Sequence, residues 1–286
     1  NTRAFPALAD SLAFRAEAEE AAKLCREMNY ADGMIHITEP FVRLTVRAGA
    51  DFAGRWPLAG AVLTDEQGFD RARSLRAGVF DGGLFLMAAA GWLNGCDTLR
   101  DCMAHERLRR FVGEGFVREL LPALAQSGID RAALEAAAIE SFARWENPLN
   151  RSLILRAAGH LIPRFCAAVL PLMRRRASES FEPPRRLAFA LAATVMLYAG
   201  ARLNPRTGLY EVARGRQAQP LIDDPDILAV FATMAHDMPP ETLAYAALAD
   251  RGLWNGEDLR AIDGLEARAA LDIAAMQRNP AFLPEE

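Results

Sequence analysis

One run of ten residues constrains the whole chain: Leu84-Phe85-Leu86-Met87-Ala88-Ala89-Ala90-Gly91-Trp92-Leu93 carries no charged or hydroxyl side chain. It follows Asp81-Gly82-Gly83 and ends at Asn94-Gly95. The run is too apolar for a surface and too short for a bilayer, which needs about 20 such residues. A buried core helix is the reading that fits, and other elements must then cover all of its faces. Asp81 stands where its side chain could accept hydrogen bonds from the first-turn N–H groups, as an N-cap does. Arg76 lies five residues before Asp81 and Leu84 three after it. The three are expected to cluster at the start of the helix.

A chain of 286 residues, 51% of them hydrophobic, can bury a large core as one domain or two closely packed ones. Its net charge of −4 gives no basis for binding nucleic acid or an anionic membrane surface. The expected partner is a small molecule or a protein. Cys25, Cys96, Cys102 and Cys166 show no Cys-x2-Cys spacing and no histidines at ligand intervals, so no metal site and no disulfide framework are expected. Free, mostly buried thiols in a reducing cytosol are the reading. No signal peptide and no apolar run of membrane length occurs, so a cytoplasmic location is expected. Lys23 is the single lysine among 33 Lys and Arg residues, which leaves no other lysine to act as a base.

Along the chain, residues 7–29 place apolar positions at helical spacing and read as one amphipathic helix. Residues 34–38 and 41–46 are rich in β-branched side chains and read as strands with a kink at Pro40; residues 61–64 form a candidate third strand. His36, inside an apolar strand, reads as a core histidine rather than a ligand. Past Thr98 the chain reads as helical. Residues 106–125 offer a broad apolar face, and Asp130 is a candidate N-cap for a helix reaching Trp145. Glu146-Asn147-Pro148 ends that helix, because the residue before proline is pushed out of the helical region.

Arg156, His160 and Arg164 then fall at i, i+4 and i+8, which would stack three nitrogen-bearing side chains on one helix face, with Pro163 as a possible kink. Such a stripe is also what a solvated face looks like. The arginine-rich segment 174–186 reads as an exposed loop, residues 187–198 as another apolar helix, and 204–220 as a turn-rich excursion. Residues 222–236, 240–249 and 257–276 read as three closing helices, with His236 placed to favour a helix end.

These features resemble the polyol-specific long-chain dehydrogenases, the family of mannitol dehydrogenase, fructuronate reductase and tagaturonate reductase. That family carries Lys-x4-Asn-x2-His before a small-residue helix ending in a Leu-x-Gly-x-Asp-Thr-like turn; here the turn reads Leu93-Asn94-Gly95-Cys96-Asp97-Thr98. Counting back without a gap, the three catalytic positions hold Arg76, Asp81 and Leu84. Glu39-Pro40-Phe41, Trp145-Glu146-Asn147-Pro148 and the apolar helix from Leu187 also match family segments. By the same resemblance Arg156 falls on a substrate-binding arginine and Arg164 on a lysine. Asn1-Thr2 either matches the motif whose Asn contacts substrate or is simply a frayed terminus.

The resemblance implies a mainly α fold: a multi-helical C-terminal domain like that of 6-phosphogluconate dehydrogenase, with a few short strands near its N-terminus. Residues 1–65 would be a lead-in, and 66–286 the substrate domain. It implies zinc-independent NAD(P)-dependent chemistry on a sugar alcohol, ketose or ketohexuronate. The coenzyme would sit on an N-terminal domain beyond this chain, since no Gly-x-Gly-x-x-Gly turn occurs in it. A first residue other than Met is read as the mark of a fragment. Arginine stays protonated, so Arg76 is no base, although it can polarise a carbonyl or clamp a carboxylate. Asp81 could accept a proton only if burial raised its pKa, and Leu84 does neither job.

Two readings stand: an oxidoreductase whose pocket is rebuilt from Arg76, Asp81, Arg156 and His160, with His160 as proton donor, or an inactive family member that binds a sugar acid or a protein. The first is preferred. The many arginines favour an acidic substrate.

Overall fold

The apolar run is buried from end to end. In the computed structural model it forms α3 (Gly82–Leu93), whose residues from Gly82 through Trp92 are all buried. The structure describes residues 5–10, 13–16, 18–39, 44–48, 52, 61–126, 128–180, 182–215 and 217–284. Two compact units divide the chain, Asn1–Arg76 and Ala77–Glu286.

The first unit holds β1 (Ala7–Ala9), β2 (Ala13–Arg15), α1 (Ala18–Met28), β3 (His36–Thr38), β4 (Leu44–Arg47), β5 (Val62–Thr64) and α2 (Glu66–Leu75). β4 is the middle strand of three, antiparallel to β1 with Ala7 opposite Val46, and parallel to β5 with Thr45 opposite Val62. β2 and β3 pair antiparallel, with Ala13 opposite Thr38. α2 packs on the three-stranded sheet, and its N-cap Asp65 accepts from the Gly68 N–H at 2.8 Å.

Two expectations fail here. Residues 7–29 are not one helix, because Ala7–Ala9 find strand partners in Leu44–Arg47, a non-local pairing that no local periodicity reports. His36 is not a core residue. The two-residue period of β3 turns Ile37 inward and His36 outward, where its Nδ1 lies 2.6 Å from the Met34 carbonyl. Pro40 and residues 41–43 of the second expected strand lie outside the described residues.

In the second unit α3 is followed by α4 (Leu99–Ala104), α5 (Glu106–Gly115), a π-helical turn (Phe116–Leu120), α6 (Leu121–Ala125) and α7 (Arg131–Glu146). Thr98 and Asp101 form a reciprocal capping box on α4, and Asp130 caps α7 by accepting from the Ala133 N–H at 3.0 Å. Two short helices come next, α8 (Ile154–Ala157) and α9 (Leu161–Arg164), then a second π-helical turn (Phe165–Val169) and α10 (Leu170–Ser180). α11 (Arg185–Ala199) is buried from Arg186 to Ala199 and packs along α3. β6 (Arg202–Leu203), β7 (Tyr210–Arg214) and β8 (Gln217–Pro220) form an antiparallel sheet. α12 (Pro225–Ala232), α13 (Pro240–Ala249) and α14 (Leu265–Arg278) close the chain, with α13 and α14 packed on each other and on α11.

Small residues let aromatic rings approach α3 closely. A Cβ at Gly83 would lie 2.4 Å from Trp145 Cη2 and 2.5 Å from Phe116 Cζ, so only glycine fits. Trp145 is fully buried, and its ring centroid lies 5.4, 6.1 and 5.6 Å from those of Phe80, Phe116 and Phe142. At the other end of α3, Arg214 of β7 stacks over Trp92 at 4.3 Å and donates to the Trp92 carbonyl at 2.8 Å and the Cys96 carbonyl at 3.3 Å. It also pairs with Asp97. The turn-rich stretch 204–220 thus also holds two strands of a sheet that meets the helix end.

The arginine segment is not an exposed loop either. Arg174 to Arg176 belong to α10, and Arg185 and Arg186 open α11. Pro184, at the N-cap of α11, supplies no side-chain acceptor for the unpaired first-turn N–H groups. Glu119 supplies it from the first π-helical turn, accepting from the Arg186 N–H at 2.8 Å and the Leu187 N–H at 2.9 Å. Arg185 makes a two-toothed pair with buried Asp272, at 2.7 and 2.9 Å.

Burial pushes the Glu119 carboxyl above its ordinary value of 4.5, against the lowering effect of those two N–H bonds and of Arg186. A carboxyl raised on folding binds its proton more readily in the folded state, so stability falls as pH rises from 4.5 through the folded value. Asp272, also raised by burial, acts with the same sign from its ordinary 3.8. Glu119→Gln removes one of these titrations. Urea-unfolding midpoints measured between about pH 4 and 8 are expected to fall less steeply in the variant than in the wild type.

Candidate active site

The chain after α7 turns on Asn150, whose side chain donates to the Arg144 carbonyl at 3.1 Å and accepts from the Ser152 N–H at 3.0 Å. Leu153 bridges to Thr98, and α8 then runs for only four residues. Gly159 closes it by donating to the Arg156 carbonyl at 3.2 Å. His160 takes φ 58° and ψ 45°, a left-handed conformation uncommon for a non-glycine residue, and its N–H leaves the helix to donate to the Ile222 carbonyl at 2.7 Å. α9 begins afterwards.

The expected three-residue stripe therefore does not exist. Arg164 and His160 share a turn, through the Arg164 N–H donating to the His160 carbonyl at 3.1 Å, but Arg156 lies on the far side of the break. Pro163 does not cause it; the proline sits in the first turn of α9, where an N–H would have no helical partner.

Asp81 is not an N-cap. Its φ of −72° and ψ of −33° are helical, because the π-helical turn Arg76–Asp81 runs straight into α3, and its side chain makes no capping bond. Its carboxylate instead pairs with Arg164, Oδ1 lying 3.6 Å from Nη1. Arg164 also donates to the Ala157 carbonyl at 3.2 Å. Arg76 belongs to the first unit and pairs with Asp10 at 2.9 Å. Leu84 is buried in the core. Arg156 is exposed, and Asn1 lies outside the described residues.

The imidazole of His160 is 60% exposed, and its Nδ1 lies 4.0 Å from Oδ1 of Asp223, which is fully buried. Asp223 Oδ2 accepts from the Tyr198 hydroxyl at 2.6 Å and the Ile162 N–H at 3.1 Å, and Oδ1 accepts from the Asp224 N–H at 2.8 Å. Burial, reinforced by the Asp223 charge, pushes the Tyr198 hydroxyl well above the usual phenol range; the Leu161 N–H and the Arg164 charge oppose that. Asp81, Arg164, Tyr198, Asp223 and His160 therefore form one polar cluster around the break between α8 and α9. It can bind an anion at Arg164 and move a proton at His160.

Sequence reasoning missed Asp223 and Tyr198. The signal was present: a tyrosine that ends an apolar helix needs a partner for its hydroxyl once buried. Cys166 is half-buried, and burial with the nearby Glu257 and Asp223 pushes its thiol up to about 11, away from the thiolate a nucleophile needs. Of the four free cysteines, Cys96 and Cys102 are buried, Cys25 and Cys166 only partly so. Among the described residues, no three His, Cys, Asp or Glu side chains are grouped to hold a metal ion, and no helix is long and apolar enough to cross a membrane.

No protein-family model matches the chain. The altronate oxidoreductase of Klebsiella pneumoniae is 24% identical over 268 residues, covering 90% of this chain and 52% of that protein. The altronate oxidoreductase of Bacillus subtilis is 26% identical over 254 residues, covering 87% and 48%. Mannitol 2-dehydrogenase of Pseudomonas fluorescens, solved as a ternary complex with NAD and D-mannitol, superposes with a TM-score of 0.74 at 16% identity, over 97% of this chain and 52% of that one. These likenesses support the C-terminal domain of the mannitol dehydrogenase-like family as what the chain resembles. A D-sorbitol dehydrogenase in substrate-free form shares the fold, with a TM-score of 0.70 at 18% identity over 97% of the chain. The chain spans about half the length of the curated relatives it matches.

Proposed function

We propose that the chain is the substrate-binding, catalytic C-terminal domain of an NAD(P)-dependent, zinc-independent oxidoreductase acting on a sugar alcohol or hexuronate, with a sugar acid of the altronate class as substrate. The observation that carries this reading is the likeness to altronate oxidoreductases along 90% of the chain. The cluster at the break between α8 and α9 supplies chemistry that suits it: Arg164 a guanidinium for a carboxylate, His160 an imidazole for proton transfer.

The positions matching the family's Lys, Asn and His hold Arg76, Asp81 and Leu84. With Leu84 buried and Asp81 paired to Arg164, acid–base work in this reading moves to His160. These 286 residues contain no Gly-x-Gly-x-x-Gly motif. The coenzyme is assigned in this reading to a nucleotide-binding domain beyond them.

The test is NADH- and NADPH-linked turnover by the full-length gene product on a panel of ketohexuronates and ketohexoses, with Arg164→Ala beside it. Turnover is expected on a ketohexuronate. A charge-assisted contact is worth about 1.5–3 kcal/mol, so Arg164→Ala should raise KM for the acid by roughly 10- to 150-fold and leave neutral sugars little changed. Equal use of neutral ketoses would overturn the acidic substrate. Binding of hexuronate with no turnover on any substrate would overturn the enzyme reading and leave a recognition protein.

A further inference from the structure

We propose that Asp223 is a positioning residue for His160, fixing the imidazole with Nδ1 turned toward the buried carboxylate and Nε2 left to meet the ligand. The proposal rests on the reading of His160 as the proton-transfer group. Its grounds are geometric. Asp223 is fully buried, and three donors from three places converge on its carboxylate: Tyr198 at the end of α11, Ile162 in α9 and the neighbouring Asp224 N–H.

The segment that carries Asp223 also holds the backbone of His160. The Ile222 carbonyl accepts the His160 N–H at 2.7 Å, and the Ile222 side chain packs on Gly159 so closely that a Cβ added there would lie 3.5 Å from it. A left-handed non-glycine residue is held only where its surroundings over-determine it, and here both the backbone and the ring of His160 answer to residues 222 and 223. The Nδ1 to Oδ1 separation of 4.0 Å is an ion-pair contact without a hydrogen bond. Such contacts tighten when a ligand closes the site. A buried carboxylate behind a histidine selects the tautomer with the proton on Nδ1 and steadies the imidazolium. When Nε2 gives its proton to a substrate oxygen, the proton on Nδ1 stays where Asp223 holds it.

The experiment uses the full-length protein labelled with ring-15N histidine, the His160 signals being those lost in His160→Asn. In the wild type the neutral ring is expected to be predominantly the Nδ1–H tautomer. Asp223→Asn should move the two nitrogen signals toward a tautomer mixture and lower kcat at least tenfold while KM stays within twofold. Should Asp223→Asn fail to fold, Tyr198→Phe keeps the carboxylate but removes its shortest hydrogen bond, and should also move the His160 signals. His160 signals unmoved in every variant that folds would overturn the positioning role, even with stability lost. Full turnover by His160→Asn would instead remove the reading of His160 as proton donor, leaving the nitrogen signals to decide whether Asp223 orients the ring.

Discussion

His160→Asn in the full-length protein is expected to lower kcat/KM on its preferred sugar acid by about 10²- to 10⁴-fold, the range a positioned proton donor contributes. Asparagine is the substitution to use, because it tolerates the left-handed conformation that His160 adopts at φ 58°. Alanine there would mix backbone strain with lost chemistry. The side chain is mostly exposed and gives the core nothing, so urea unfolding should shift by less than about 0.5 kcal/mol. Steady-state rates and unfolding curves on the same preparation separate the two effects. Rates within twofold of wild type would place proton transfer elsewhere.

Trp145→Ala is expected to cost about 3–5 kcal/mol of folding stability, far more than an average substitution. The indole is fully buried against Phe80, Phe116 and Phe142, and it fills the space that Gly83 leaves beside α3. Trp145→Phe should be much milder. Its ring keeps most of the packing, and it removes a buried indole N–H that has no hydrogen-bond partner among the described residues, a defect that itself costs about 1–3 kcal/mol. Denaturant midpoints for both variants check the contrast; equal losses would mean the aromatic cluster is not what holds α3 in place.

The elements legible in the sequence were those whose evidence is local. The run 84–93 could only be a core helix, and it is one; Asp130 caps α7 because its neighbours alone decide that. What stayed hidden depends on partners far along the chain. Ala7–Ala9 become a strand because Leu44–Arg47 lie beside them, and Arg186 is buried because Glu119 meets it. The cluster of His160 shows both sides. Spacing brought His160 and Arg164 together on one turn, whereas Arg156 was lost to a break whose cause, the Ile222 carbonyl, lies 62 positions away (222 − 160). Asp223, the deepest charge of the cluster, sits beside a second aspartate and a proline and reads locally as nothing more than a helix start.

The Arg214 clamp has a consequence for what this chain tolerates. A single guanidinium stacks on Trp92 while donating to the Trp92 and Cys96 carbonyls and facing Asp97, four partners approached in different directions. Only a flat, forked cation satisfies them together; a lysine's compact ammonium would lose the stacking and at least one carbonyl. The sheet of β6, β7 and β8 is thus docked by the shape of one cation as well as by its charge. Exchanging arginine for lysine, conservative on a surface, would at this place undo the joint between sheet and helix.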